Sequence, residues 1–375
     1  MTFLLSINFI ESDKFYQGEY YYLLLSSLLG ALVVSSSRDL LTIFIGIELA
    51  STPMFLLSGW KKGDRKSNEG AIKFFLLGVL SASLILYGFS LIYGLTGQLV
   101  FADISAYLLA NSLGSSPVLL LSAILVISGI GFKISVVPFH SWAPDTYEGA
   151  PLPITAYLSV SSKATGFVAL IVLLTKVFES SGQSWGVILA IVAGATMTLG
   201  NLVALQQTNP VRLLAYSSIS QAGFIIAPLA VSGITGNYQD GIFASVTYLI
   251  IYAFMNIGAF LSVHLFTNFT KSDNFYEWGG IAKHSPLAGV LTTVFFFSLA
   301  GIPPLGGWFA KFVVFRSLLS TGEIIGVSLA IVGAINAVIA LVYYARISKV
   351  IWMDELKNPE EEKSFEFQSP LKVVG

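Results

Sequence analysis

Apolar segments of about twenty residues recur along nearly the whole chain, and they constrain its fold more than any other feature. A helix of about 20 apolar residues spans the roughly 30 Å hydrocarbon core of a bilayer. Ten segments qualify: 20–36, 39–59, 70–94, 117–149, 153–178, 184–206, 211–232, 241–266, 286–320 and 324–350. Strands of a membrane barrel would instead alternate over about ten residues. The sequence therefore predicts an all-α polytopic membrane protein with about ten transmembrane helices.

The composition excludes a soluble fold and several kinds of site. Of 375 residues, 55% are hydrophobic and only 11% are charged, whereas soluble domains carry roughly 25% charged residues. The absence of cysteine excludes disulfides, thiolate-bound iron–sulfur clusters and a cysteine nucleophile. Three scattered histidines are too few for a haem or zinc site, and no phosphate or calcium loop is present. We therefore expect no cofactor or metal on this chain, and no nucleic acid partner.

The fourth and ninth segments are long and are interrupted by proline, at Pro138 and Pro144 in one and at Pro303 and Pro304 in the other. Such breaks are tolerated at membrane depth only where protein or a watery cavity satisfies the freed backbone groups. The two broken segments are five apart, and a repeat with an odd number of helices is inverted in the membrane. Broken helices at matching positions of two inverted repeats indicate a transport site near the midplane.

The chain accordingly divides into an N-terminal tail (1–19), a first five-helix repeat (20–180), a second five-helix repeat (181–350) and a polar C-terminal tail (351–375). Basic residues set the orientation of such a protein. Most of them fall on the side of the N-terminus, side X: Lys14, Lys61, Lys62, Arg65, Lys66, Lys73, Arg212, Lys271, Lys283, Arg346, Lys349, Lys357, Lys363 and Lys372. Side Y receives Arg38, Lys176 and, at the edge of its segment, Arg316.

This asymmetry predicts that side X is the cytoplasm and that both termini lie there. We expect the cell inner (plasma) membrane as the location, with the mitochondrial inner membrane and the thylakoid membrane as open alternatives. The basic loop at 61–66 is better explained by this topology than by nucleic acid binding.

Four ionisable side chains lie deep within apolar segments: Glu48, Lys133, Lys163 and Lys311. An ionisable group at the bilayer centre costs on the order of 3 kcal/mol or more, so such residues usually mark a path for ions or protons. Lys133 precedes the first break and Lys311 follows the second, where free carbonyls and water offer a proton route. Glu48 must be protonated or paired, and Lys133 is its expected partner, at ~4 kcal/mol for an effective dielectric near 20. A static ion pair is the alternative.

Further observations concern Lys163 itself and three titratable residues near the deep charges. Lys163 is flanked by hydroxyl side chains and is a second protonatable site in the same repeat. His140 stands in the first broken segment, titrates near neutral pH and is a fifth candidate residue for proton translocation, although a lone histidine is often only hydrogen-bonded. Asp145 and Glu148 lie near side X, where they either support proton transfer or cap helices.

Five sequence runs resemble the antiporter-like membrane subunits of respiratory complex I. They are GAIKFFLLG at 70–78, GFK at 131–133, VPFHSWAPDTYEGAP at 137–151, RLLAYSSI at 212–219 and AGIPPLGGWFAKF at 300–312. Lys311 stands where some of these subunits carry a glutamate, which makes the chain most similar to the subunit N group of NADH-quinone oxidoreductases (subunit 2 in mitochondria). The resemblance covers about residues 20 to 350.

The resemblance implies a proton-translocating subunit of NADH:quinone oxidoreductase, built on two inverted five-helix repeats within a fold of about fourteen helices. It implies a hydrophilic axis through Glu48, Lys133, Lys163 and Lys311. It also implies that this chain does no redox chemistry, because quinone, flavin and iron–sulfur clusters belong to partner subunits. Its expected partners are the other membrane subunits of complex I and the lipid bilayer.

The chain departs from this family in two respects. About three helices before the first segment and one after the tenth are missing, so we expect either a natural short form or a fragment. Relatives tend to carry Lys-Arg before the LLAYSS run and a histidine after it, whereas this chain has Val211-Arg212 and Gln221. The second departure weakens the expectation of a histidine relay in segment seven.

Two other functions fit the same residues. A secondary cation/proton antiporter, alone or in a multi-subunit exchanger, shares the lysines and the breaks, and cation-dependent proton flux without a reductant would favour it. In a purely structural membrane subunit the charges form static ion pairs. Neutral substitutions would then change stability but leave the proton flux per electron unchanged.

Overall fold

The computed structural model describes residues 2, 3, 6 and 18–355. Within these residues the chain forms helices and no β-strand. The helices are α1 (Glu19–Ser36), α2 (Leu40–Ser58), α3 (Arg65–Thr96), α4 (Phe101–Ala110), α5 (Pro117–Lys133), α6 (Trp142–Gly149), α7 (Leu152–Lys176), α8 (Gly182–Ala204), α9 (Pro210–Thr235), α10 (Tyr238–Thr270), α11 (Pro286–Ala300), α12 (Gly306–Leu319) and α13 (Ile324–Met353). A π turn, Leu158–Ser162, lies inside α7. Most of the two predicted tails lies outside the described residues.

The prediction of an all-helical polytopic protein is confirmed. Eight helices of the described chain are long and apolar enough to cross a membrane. The fourth predicted segment is divided between α5 and α6, and the ninth between α11 and α12. Because successive spans alternate in direction, the two broken spans cross the membrane in opposite senses, as an inverted repeat requires. The connection between the third and fourth predicted segments contains a further short helix, α4, which the sequence analysis did not predict.

The helix pairings of the first five spans recur in the second five. The first span packs closely on the second, α1 on α2, and in the same way α8 packs on α9. The third span packs on a part of the broken fourth, α3 on α5, and correspondingly α10 packs on both parts of the broken ninth. Helix α9 is the most enclosed, since 94% of its most apolar stretch is buried. It also contacts α6 of the first half, so it lies where the two halves meet.

At each break, side chains form hydrogen bonds with backbone groups that a continuous helix would have paired. In the first break, Val137 N–H donates to Thr196 Oγ1 on α8 (3.0 Å), and the Trp142 indole donates to the Phe132 carbonyl (2.9 Å). In the second, Gly307 N–H donates to Ser298 Oγ (3.0 Å). Protein groups thus satisfy the backbone at depth, which is the condition under which a spanning helix can break.

Three of the four predicted helix-breaking prolines lie in the breaks: Pro138, Pro303 and Pro304. The fourth, Pro144, lies in the first turn of α6. The first four N–H groups of a helix have no partner within it, so proline costs little there. Pro144 therefore belongs to the start of a helix, and its assignment to the break was wrong.

Gly307→Ala is expected to destabilise the protein, because a Cβ at this position would lie 1.7 Å from the Ser298 carbonyl oxygen. The two halves of the broken span would have to separate, and overpacking of this kind costs about 1–3 kcal/mol. Gly194→Ala is the matched control, since the nearest atom to its Cβ would be 3.9 Å away. Thermal unfolding of both variants in detergent checks this, and equal midpoints would contradict the tight contact.

Candidate functional site

Lys133, the last residue of α5, reaches back to α2. Its ammonium donates to Ser51 Oγ (2.8 Å) and lies 3.4 Å from Glu48 Oε1. The rings of Phe55 and Phe132 lie 5.5 and 5.9 Å from the same nitrogen, a distance at which an aromatic face attracts a cation. The structure therefore brings the predicted Glu48–Lys133 pair together and adds a hydroxyl that the sequence analysis did not identify.

The two partners differ in exposure. The Lys133 side chain is 6% exposed, whereas that of Glu48 is 29% exposed. Glu48 lies near the middle of α2, and its apolar neighbour Ile45 is 60% exposed. A carboxylate at this depth is costly in contact with lipid. The partly exposed carboxylate, unlike the apolar Ile45 beside it, is therefore poorly suited to contact hydrocarbon.

A small cavity extends from Lys133 towards α7. Its lining combines the polar residues Ser51, Lys133, Ser162 and Thr165 with apolar residues such as Ile130, and it has room for about one water molecule. Ser162 and Thr165 flank Lys163 in sequence. Polar side chains of α2, α5 and α7 therefore share the lining of this cavity.

Lys163 is buried at 1% exposure and is held by the second half of the protein. Its ammonium donates to the Ser218 carbonyl (2.8 Å) and to Ser218 Oγ (2.5 Å) on α9. The Tyr252 hydroxyl also donates to Ser218 Oγ (2.9 Å). Lys163 follows the π turn of α7 directly, a feature that often accompanies functional sites.

Lys311 is 4% exposed and points into the second break. Its ammonium donates to the carbonyls of Ala300 (2.6 Å) and Leu299 (3.4 Å), and it lies 5.0 Å from the centre of the Phe224 ring. Because α11 ends at Ala300, these carbonyls have lost their helical donors. The expectation that the break would supply free carbonyls to this lysine agrees with the geometry.

Helix α9 connects the partners of the last two lysines. Gln221 Nε2 donates to the Leu299 carbonyl (3.1 Å), which Lys311 also contacts, and Gln221 Oε1 accepts a hydrogen bond from Tyr248. Ser218, the partner of Lys163, lies three residues earlier and so shares a face of α9 with Gln221. The glutamine at the position of the expected histidine is thus a hydrogen-bonded link beside Lys311.

A cluster of charges lies at the side X end of α6. Arg212 Nη1 donates to Asp145 Oδ1 (2.9 Å) and to Glu148 Oε2 (2.8 Å). Lys73 contacts Asp145 (2.6 Å), and Lys66 contacts Glu148 (2.8 Å). Each carboxylate therefore has two cationic partners, and the cluster ties α3, α6 and α9 together.

Arg212→Ala is expected to lower the free energy of unfolding by about 1–2 kcal/mol, because a half-buried ionic hydrogen bond to each carboxylate is lost. The difference should narrow at high ionic strength, which screens such pairs. Arg65→Ala is the matched control, since Arg65 is exposed on the same face. Unfolding midpoints at low and high salt measure both, and equal destabilisation by the two variants would contradict the cluster's role.

His140 lies on the segment that joins α5 to α6. It lies half-buried in the first break, and its Nδ1 has no hydrogen-bond partner among the described residues. The polar partners of the lysines, in contrast, were not identified from the sequence: Ser51, Ser218, Tyr252 and Gln221. The sequence feature that could have indicated Ser218 is the pair of adjacent hydroxyl residues, Ser217 and Ser218, in a predicted membrane segment.

A family model described as "NADH:quinone oxidoreductase/Mrp antiporter, TM" matches residues 37–337. The chain belongs to this family. Two bacterial relatives in the family are similar over nearly the whole chain. NADH-quinone oxidoreductase subunit N 2 of Rhizobium meliloti is 41% identical over 98% of this chain and 73% of the relative. NADH-quinone oxidoreductase subunit N of Moorella thermoacetica is 40% identical over 100% of this chain and 75% of the relative.

Solved structures share the fold of this chain. A chain of respiratory complex I from Thermus thermophilus matches with a TM-score of 0.74 and 30% identity, over 93% of this chain and 75% of that one. A chain of the Mrp complex from Dietzia matches with a TM-score of 0.81 over 94% of this chain and 66% of that one, at only 22% identity. The second likeness shows a shared fold alone.

Proposed function

We propose that this chain is the proton-translocating subunit N of an NADH:quinone oxidoreductase. The observation that carries the proposal is the burial of three lysines, each held by its own polar partners, in a member of this family. The names of the relatives at about 40% identity support the parent complex. The chain takes part in the enzyme as a subunit and does no redox chemistry of its own.

In the proposed route, protons pass along Glu48, Lys133, Lys163 and Lys311. Quinone reduction elsewhere in the complex drives Glu48 towards or away from Lys133, which changes the proton affinity of the lysine. The small cavity beside Ser51 and Thr165 supports a water-mediated step from Lys133 to Lys163. The α9 face that carries Ser218 and Gln221 supports the step to Lys311, from which the proton leaves to side Y. His140 in the first break is proposed as a further proton-translocating group, with Asp145 and Glu148 as supporting groups.

The two five-helix repeats at 20–180 and 181–350 remain the proposed units of the chain. Their recurring helix pairings support this division. Side X is proposed to be the cytoplasm, with the chain in the cell inner (plasma) membrane. The excess of lysine and arginine on side X supports this orientation.

The proposed partners are the other membrane subunits of the complex and the bilayer. Quinone, flavin and iron–sulfur clusters are proposed to belong to those partner subunits. The partly exposed Glu48 at mid-helix supports a protein neighbour on that side, because lipid would leave its carboxylate unsolvated.

A pull-down of the tagged native protein in mild detergent tests this function. We expect a large flavin- and iron–sulfur-containing assembly that reduces quinone with NADH. Isolation of the protein alone, or with other antiporter subunits and without quinone reductase activity, would instead support a cation/proton antiporter.

A further inference from the structure

Asn256 is a buried amide near the middle of α10. The residue is 0% exposed, and its Oδ1 has no hydrogen-bond partner among the described residues. A leucine would fill a similar space without the cost of enclosing an unpaired polar atom. Polar side chains at such a depth in a membrane protein usually serve its function. The amide therefore calls for a role other than packing.

The Asn256 amide nitrogen binds the π turn of α7. Asn256 Nδ2 donates to Ser159 Oγ (2.8 Å), and Ser159 Oγ donates in turn to the Ala156 carbonyl (2.8 Å). Ser159 is fully buried and is the second residue of the π turn, Leu158–Ser162. A side chain of α10 is therefore bonded to the irregular part of α7.

Tyr252 contacts the same place from one turn earlier on α10. Its hydroxyl lies 3.2 Å from the Ser159 carbonyl oxygen and 2.9 Å from Ser218 Oγ. Residues four apart share one face of a helix, so Tyr252 and Asn256 act from the same side. This face of α10 contacts both the π turn before Lys163 and the serine that accepts a hydrogen bond from the Lys163 ammonium.

The π turn sets the direction of the Lys163 side chain. A π turn is closed by a hydrogen bond over five residues, so it holds one residue more than an α turn. One extra residue rotates the following side chains by about 100° around the helix axis. Lys163 directly follows the turn and reaches the Ser218 carbonyl (2.8 Å) and Oγ (2.5 Å). In a regular α-helix the lysine would point away from these partners.

We propose that Asn256 is a positioning residue for Lys163, an inference that rests on the proposed function. Asn256 holds the π turn through Ser159, and the π turn directs the Lys163 amine at Ser218. The amide carries no proton itself, because an asparagine side chain does not ionise at neutral pH. It acts only on the orientation of the amine that does.

The test is Asn256→Leu in the intact complex, reconstituted in vesicles with NADH and quinone. We expect the rate of quinone-coupled proton uptake to fall about tenfold or more, because a displaced group transfers protons poorly. The pH profile of uptake should shift, since the hydrogen-bond partners of an amine set its proton affinity. The amount of assembled complex should not fall, because the variant removes an unpaired polar atom together with one hydrogen bond. A wild-type rate with an unshifted pH profile would overturn the proposal.

Asn336→Leu is the matched control. Asn336 is also buried, at 2% exposure, and bonds to Thr198 (3.2 Å) and Asn201 (3.0 Å) of α8. These two residues hold none of the three lysines in the described structure. We expect this variant to lower the midpoint of thermal unfolding and to leave the pH profile and the protons translocated per electron unchanged. An equal loss of uptake in the two leucine variants would show only the loss of a buried polar contact and would overturn the positioning role.

Ser159→Ala removes the same hydrogen bond from the side of α7. If Asn256 acts through Ser159, the double variant lowers uptake no further than the more affected single variant. Losses that multiply in the double variant contradict the proposal. Should Asn256→Leu fail to assemble, Ser159→Ala must by itself lower the uptake rate and shift its pH profile, and wild-type behaviour of Ser159→Ala overturns the proposal.

Lys163→Ala in the same vesicles separates the positioning role from the proposed function. If Lys163→Ala stops uptake while Asn256→Leu proceeds at the wild-type rate, the positioning role is wrong and the proposed function stands. If Lys163→Ala pumps normally, both are wrong.

Discussion

Lys133→Ala is expected to lower the rate of quinone-coupled proton uptake by the intact complex at least about tenfold. The variant removes the amine that contacts Glu48 and lines the small cavity shared with Ser162 and Thr165. Among the described residues, no other amine contacts Glu48 or Ser51. The hydroxyl of Ser51 cannot replace the amine, because a serine hydroxyl is not protonated at neutral pH. The measurement is dye-reported proton uptake by vesicles that contain the complex.

Glu48→Gln and the double variant separate proton transfer from structure. Lys133→Ala leaves Glu48 without its charged partner, and breaking a buried pair is destabilising. Glu48→Gln in the same chain removes that unpaired charge. We therefore expect the double variant to regain stability, so the two substitutions are non-additive in the free energy of unfolding, while proton uptake stays low.

A static ion pair makes the opposite prediction for uptake. In that case the double variant would recover both stability and proton uptake, because the unpaired charge of Glu48 would be the only cause of the defects in Lys133→Ala. Recovery of wild-type uptake in Glu48→Gln with Lys133→Ala would therefore contradict a role for this pair in proton transfer.

Lys311→Gln is expected to lower proton uptake by a similar factor with little loss of stability. Lys311 holds the carbonyls of Ala300 and Leu299 at the second break. A glutamine amide can still donate a hydrogen bond to a carbonyl there, but it cannot take up and release a proton at neutral pH. The variant thus tests the role of Lys311 in proton transfer separately from its role in hydrogen bonding at the break. Uptake and thermal unfolding are measured on the same preparation.

Lys176→Gln is the matched control for Lys311→Gln, since Lys176 is exposed at the end of α7. It makes the same chemical change outside the axis and should leave uptake unaltered. An uptake rate for Lys311→Gln equal to that of the Lys176 control would show that Lys311 serves only to satisfy the break.

The spans, the breaks and the deep charges could be predicted from the sequence because the membrane imposes them. Each span needs about twenty apolar residues, and proline shows where the helix is interrupted. The Glu48–Lys133 pair was predictable for a similar reason: a carboxylate at such depth needs a partner. These arguments depend on local sequence and on the cost of burying charge, and both can be read along the chain.

The partners of Lys163 and Lys311 could not be predicted in this way. Ser218 lies 55 residues from Lys163 in the sequence, and their contact depends on how α9 packs against α7. Lys311 is held by backbone carbonyls, which every residue carries, so residue types give no signal. The misassignment of Pro144 has a related cause, since proline begins a helix as readily as it ends one.

The ratio of protons translocated to electrons transferred tests the central claim most directly. It is measured in vesicles that contain the complex, for the wild type and for Lys163→Ala, with NADH oxidation and proton uptake recorded together. If this chain carries protons along its lysine axis, we expect one of two results for Lys163→Ala. Either fewer protons are translocated for each electron that reaches quinone, or electron transfer and proton uptake stop together. An assembled variant with the wild-type rate and the wild-type ratio would contradict the account.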